Sequence, residues 1–224
     1  MPQAAGARDL TDRDRLARLV GLCVAAAAGY AGLRGAAMAA GTQLPDAVVV
    51  GVPFLAIPAL AFWRWGEPAD WGRLDRTFLL SAAVYAPFAA WVVAAVPGAP
   101  AKYFAGLPGA AFAFPGGAAW AVATFAHVGA VDYFTKRVVQ HEAEALWGAR
   151  RAQAVQLAAW SAGHIIEWLW LREVLGDLGA GVFLVGAGAA TGWAYARWKC
   201  VLGLMVGHLL VNLAAAVAAW TFYG

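Results

Sequence analysis

Charge is what this sequence has least of. Only 13% of its 224 residues are Asp, Glu, Lys or Arg, about half the roughly 25% of an ordinary soluble domain. Hydrophobic residues make up 62%, before the 26 glycines are counted. A water-soluble domain of this size buries only about two-thirds of what its unfolded chain exposes, so it could not hide that much apolar surface. The bilayer is therefore the expected solvent, and a disordered chain is excluded. Cysteine is equally scarce. Cys23 and Cys200, each in or beside an apolar segment, exclude a disulfide scaffold and leave the redox compartment open. A continuous basic face is missing too: the Lys and Arg residues come in short clusters between apolar stretches, unlike the footprint of a nucleic-acid module. No run of about ten residues alternates as the strands of a membrane barrel do.

What is present is a series of long apolar runs rich in Ala, Leu and Gly. A spanning helix needs about 20 mostly apolar residues. Seven candidates lie at 18–40, 47–64, 78–97, 115–134, 153–172, 179–197 and 200–222. The fold class is thus all-α: a polytopic membrane protein of about seven helices, with residues 1–18 as a cytoplasmic polar tail or interfacial helix and 19–224 as one transmembrane domain. The leader mixes Asp9, Asp12 and Asp14 with its arginines and reads as the approach to an uncleaved first helix rather than a signal peptide. Residues 98–114, with several prolines and glycines, read as an external loop or a re-entrant piece.

The Lys/Arg bias predicts orientation. Arg8, Arg13, Arg15, Arg18, Arg64, Arg73, Arg76, Lys136, Arg137, Arg150, Arg151, Arg197 and Lys199 all fall on one side of that topology, against Lys102 and Arg172 on the other. The N-terminus is expected in the cytoplasm and the C-terminus outside. High Ala, Gly and Arg suggest a bacterial inner membrane. Gly188 and Gly192, like Gly203 and Gly207, stand four apart, a spacing that lets helix backbones approach closely in lipid.

Ionisable groups inside spans are costly and are functional candidates by default. They are few: His127, Asp132 and Lys136 on and just beyond the fourth run, His164 and Glu167 on the fifth, and His208, accompanied by the polar Asn212, on the seventh. Asp132 and Lys136, Trp160 and His164, and His208 and Asn212 are each i,i+4, and His164 and Glu167 are i,i+3, so each pair shares a helix face. His164 and His208 lie at similar depth, roughly 16 and 12 Å from the cytoplasmic ends at 1.5 Å per residue. Their imidazoles are expected to meet in a cavity open to the cytoplasm. His127 reads as a bundle histidine, and His141, Glu142 and Glu144 as a solvated face of a cytoplasmic helix.

These residues resemble the CAAX protease and bacteriocin-processing (CPBP, or ABI) family of intramembrane proteases, whose motifs are Glu-Glu-x-x-x-Arg, Phe-x-x-x-His and His-x-x-x-Asn. The third stands intact as His208-Leu209-Leu210-Val211-Asn212, and the second as Trp160-Ser161-Ala162-Gly163-His164, with Trp for Phe. In the first, Asp132 and Lys136 stand for the second Glu and the Arg and are expected to pair, while Val131 occupies the position of the water-activating Glu. The resemblance covers about 115–215 and implies a CPBP-like bundle. It also implies that His164 positions the attacking water and that His208 and Asn212 stabilise the tetrahedral intermediate.

Three functions remain open on this reading. The first is an endopeptidase acting on a membrane or prenylated substrate, with Glu167, one turn beyond His164, as the substitute base. The second is a non-catalytic relative serving as scaffold or accessory subunit of a membrane complex, a use suited to twelve tryptophans, which gather at lipid interfaces and protein contacts. The third is a metal protein holding zinc or another divalent ion through His164, Glu167 and His208. The expected partners are the bilayer and membrane proteins, not nucleic acid.

Overall fold

A computed structural model describes residues 10–42, 44–67, 70–95 and 126–223. Among these residues every regular element is helical and no strand occurs. Three helices, Asp12–Ala39, Ala47–Arg64 and Leu175–Trp198, are long and apolar enough to cross a membrane. The expected loop at 98–114 and the start of the fourth run lie outside the described residues.

Helix α1 (Asp12–Ala39) begins with a capping box. The Thr11 hydroxyl accepts from the Asp14 amide at 3.2 Å, and the Thr11 amide donates to the Asp14 carboxylate at 3.1 Å, which satisfies two amides that the first turn otherwise leaves unpaired. The sequence places the first span from 18; the cap starts the helix six residues earlier and makes Arg13, Arg15 and Arg18 helical. Next come α2 (Asp46–Gly51), a π-helical turn at Val52–Ala56 and α3 (Ile57–Arg64), which follow one another without a break. Pro58 has no N–H to return to the preceding turn, and the wider π-turn lies just before it.

After a loop and α4 (Leu74–Ala95), residues 126–132 run as a helix into a π-helical stretch, Tyr133–Gln140, and then α5 (His141–Trp147). Gly148, at φ 78°, ends this segment in a backbone conformation that favours glycine. The expected end of the fourth run at 134 is corrected: the helix continues for more than three further turns. Its π-helical part is buried from Phe134 to Gln140. Phe134, Val138 and Val139 pack with Leu19, Leu22 and Ala26 of α1 and Phe62 of α3.

Helix α6 (Ala149–Gly163) stops at His164 (φ −107°, ψ 19°), and α7 (Ile165–Trp198) follows at once, broken at Gly176 (φ 71°, ψ 167°). The fifth run, expected to be one helix over 153–172, therefore bends at the histidine itself. Lys199, at φ 47°, closes α7, and α8 (Val201–Tyr223) follows.

The four spaced glycines lie at close contacts between helices. A Cβ on Gly203 would lie 2.7 Å from the Leu74 carbonyl oxygen, and one on Gly207 2.8 Å from that of Phe78, so α8 lies directly on α4. The Ser81 hydroxyl bonds the Leu204 carbonyl across the same seam at 2.9 Å. On α7, a Cβ at Gly188 would fall 2.9 Å from Trp160 Cγ, and one at Gly192 2.8 Å from the Gln153 side-chain amide, both on α6.

The expected solvated face at 141–144 is also corrected. Glu142 is fully buried, because the early start of α1 brings Arg15 to 3.5 Å from its carboxylate. Around it Arg18 pairs with Glu67 at 2.7 Å, Arg137 with Asp70 at 3.3 Å, and Lys199 with Glu144; the Tyr195 hydroxyl donates to Asp70. Four of the thirteen basic residues that predict orientation are thus held in ion pairs that join α1, the loop before α4, the π-helical stretch, α5 and the α7–α8 turn. Burial pushes the Glu142 and Asp70 carboxyls above their usual range and the His141 imidazole down to about 4.

Candidate functional site

Asp132, on the last turn before the π-helical stretch, is fully buried, as is Lys136. The Lys136 ammonium lies 2.8 Å from one Asp132 oxygen. The other oxygen faces Nδ1 of His208, on α8, at 3.2 Å. A carboxylate only accepts, so a buried one between a cation and an imidazole N–H has both oxygens engaged.

The same ammonium sits over the face of Trp160 at 3.7 Å from the ring centroid, close enough for a cation–π attraction. Trp160 is held by its indole N–H, which donates to the Leu184 carbonyl at 3.1 Å, and by the absence of a side chain at Gly188. Its other neighbour is His164, whose ring stacks on it at 3.9 Å and whose Nδ1 is 2.8 Å from the Trp160 carbonyl. His208 has an aromatic platform of its own, the Tyr85 ring of α4, parallel to it within 9° at 3.8 Å. Tyr85, Trp160 and Val211 belong to one buried apolar cluster, with Val131 packed against it. Tyr85, His208, Asp132, Lys136, Trp160 and His164 thus form one connected set of side chains drawn from four helical segments.

The chain matches no protein-family model, no curated protein and no solved structure.

Of the residues singled out in the sequence, Asp132, Lys136, Trp160, His164 and His208 are brought together. Asn212 is half-buried one turn after His208, and His127 is half-buried on the helix that leads to Asp132. The side chain of Glu167 lies outside the described residues. Among the described residues no group of three His, Cys, Asp or Glu side chains is arranged to hold a metal ion. Val131 lies against the His164 turn: its Cγ1 is 3.8 Å from where a Cβ on Gly163 would stand.

Sequence reasoning missed Tyr85. It sits in an apolar run with no ionisable residue nearby in sequence, and its only signal is a phenol in the middle of that run, 6% exposed once folded.

Proposed function

We propose that this chain is a CPBP-like membrane protein of about seven spans, N-terminus cytoplasmic and C-terminus external. It keeps the family's histidine cluster as a binding centre rather than a hydrolytic one, and serves as a scaffold or accessory subunit of a membrane complex. One observation carries this reading. Among the described residues, the carboxylate that meets His208, Asp132, is buried and engaged by Lys136 and His208, and Val131 stands where a carboxylate would otherwise reach the His164 turn. A general base needs a lone pair within reach of the water it deprotonates; Asp132 is closed to solvent. In support of retained binding, His164 and His208 each turn Nδ1 to a protein acceptor, which leaves Nε2 of each ring as its second polar atom.

A second reading rests on the same convergence of the two imidazoles. In it the chain is an endopeptidase with Glu167 as base, His164 positioning the water, and His208 with Asn212 stabilising the oxyanion. One experiment separates the two. Protein purified in detergent is incubated with a prenylated peptide and with a membrane-anchored peptide. The binding reading expects no turnover and partners that co-purify; turnover that is lost in His208→Ala would overturn it in favour of the peptidase. Val131→Glu adds the matching arm. A folded Val131→Glu protein is expected to gain cleavage that His164→Ala removes, and a folded but inert one would refute the role given to position 131.

A further inference from the structure

Asp14, Ala17, Arg18, Gly21 and Leu22 follow one another along α1 at spacings that put them on one side of the helix. Together with Trp65 they line a cavity of about 650 Å³, a volume within the range of ligand sites, about 300–1,000 Å³. This side of the helix changes character along its axis. Asp14 and Arg18 stand near the start of α1, whereas residues 19–33 carry no charge, and Gly21 and Leu22 extend the cavity in that direction. Trp65 follows directly on Ala47–Arg64, the second helix long enough to cross a bilayer. The cavity therefore lies where a membrane passes from headgroups to acyl chains, the level at which tryptophan gathers.

Its polar end is built for a zwitterion. The Arg18 guanidinium stacks on the Trp65 ring, 4.3 Å from the centroid, and gives one N–H to Glu67 at 2.7 Å. A guanidinium has five such donors, and stacking directs them sideways, in the plane of the group. Trp65 is itself held by Phe62, whose ring meets it nearly at right angles at 5.6 Å. Asp14 takes both of its bonds from Thr11, amide and hydroxyl, on Oδ2. Its Oδ1 accepts no hydrogen bond from the described residues. Glu67 balances Arg18, which leaves the Asp14 charge over. Donors for a phosphate and an acceptor for a cation thus stand one helical turn apart.

The other end is open. No atom lies within 4 Å of where a Cβ on Gly21 would stand, so this glycine leaves room, unlike Gly203 and Gly207, which fit a neighbouring helix.

We propose that this cavity binds a zwitterionic aminophospholipid, with its phosphate on the Arg18 guanidinium, its primary ammonium on Asp14 Oδ1 and an acyl chain along Ala17, Gly21 and Leu22. A quaternary ammonium has no N–H for Oδ1, and an anionic headgroup brings a second negative charge to Asp14 with no cation to offset it. Binding here needs α1 and Ala47–Arg64 to span a bilayer; it does not depend on what the histidine cluster does.

The test gives the full chain in detergent an equimolar mixture of dioleoyl phosphatidylethanolamine, phosphatidylcholine and phosphatidylglycerol, and native mass spectrometry reads which lipid stays bound. One phosphatidylethanolamine is expected to be retained over each of the others by about tenfold, which is about 1.4 kcal/mol. Gly21→Leu fills the cavity and is expected to lose that lipid while still melting cooperatively. Gly35→Leu, also in open space but well beyond the cavity, is expected to keep it. Arg18→Gln should lose it too. In Asp14→Asn the one amide oxygen is needed by the Thr11 amide, so phosphatidylethanolamine should fall to the level of phosphatidylcholine. Equal retention of the three lipids, or a preference for the choline or glycerol headgroup, overturns the headgroup assignment. Retention in folded Gly21→Leu equal to that in Gly35→Leu overturns the site. Should Gly21→Leu fail to fold, Asp14→Asn decides, because it changes one exposed side chain at constant shape: an undiminished preference for phosphatidylethanolamine overturns the proposal.

Discussion

Replacing Asp132 by Asn tests the centre of the site at almost constant shape. In the native protein the two partners are 0% and 1% exposed and 2.8 Å apart. The substitution leaves the Lys136 ammonium buried with no counter-charge among its described contacts, which are Asp132, the Thr135 hydroxyl at 3.4 Å and the Trp160 ring. Breaking a buried pair from one side costs about 3–5 kcal/mol, because the remaining charge is stranded. The Trp160 face persists in the variant and does not change the difference. Lys136→Met is expected to lose less, about 1–3 kcal/mol, since Asp132 keeps His208 as a partner. The double variant Asp132→Asn/Lys136→Met strands neither charge, so it is expected to be more stable than Asp132→Asn alone. The coupling energy between the two changes must then exceed the loss in Lys136→Met alone, about 1–3 kcal/mol. Reversible SDS titration and melting in detergent measure all four proteins. A loss below about 1 kcal/mol in Asp132→Asn, or a double variant no better than that single one, would refute the idea that the pair is buried and mutually dependent.

Three further outcomes follow from other contacts. Gly188→Ala pushes a methyl against the Trp160 indole and should cost about 1–3 kcal/mol in melting experiments, while Gly186→Ala, with open space around it, should be neutral or slightly stabilising. Gln156 is fully buried with neither amide atom bonded among the described residues, so Gln156→Met is expected to leave the melting temperature unchanged or raise it; a drop of several degrees would mean that the amide has a partner. His141, held down to about 4 by burial and then by Arg137, is neutral in the fold at a pH where the unfolded chain takes up a proton. Its contribution is therefore intact above about 6.5 and is lost as pH falls toward 4, about 2 kcal/mol by pH 5. His141→Phe should remove that part of the acid sensitivity, and an unchanged pH slope in the variant would refute it.

The helical class was legible because apolar runs of about 20 residues without strand alternation point to helices, and the close helix contacts were legible because glycines four apart let helix backbones approach. Helix ends were harder. The first helix begins at Thr11 because an exposed capping box outweighs the polar character of the residues that follow, and hydropathy is blind to that. The fourth run continues past 134 because Lys136, Arg137, Gln140 and Glu142 are buried in it, each held or offset by something distant in sequence. Arg15 meets Glu142 across 127 positions, and Arg137 meets Asp70. No local window contains both members of such a pair, so a helix with a polar interior reads as a connection.

The site divides along the same line. The i,i+4 pair Asp132–Lys136 needs only one helix: spacing put both residues on one face, and the resemblance supplied the expectation that they pair. The meeting of His164 and His208 at one cluster rested on a resemblance and on equal depth, and neither of those supplies the group that joins them. That group is Trp160, which carries His164 on its face and the Lys136 ammonium 3.7 Å from its ring centroid. A phenylalanine at this position would give the cation a smaller and weaker face and would lack the indole N–H that bonds Leu184. Lys136 carries a compact ammonium, and the broad indole face and that point charge fit each other. Ring and cation together close the cluster around Asp132, whose carboxylate is 1% exposed.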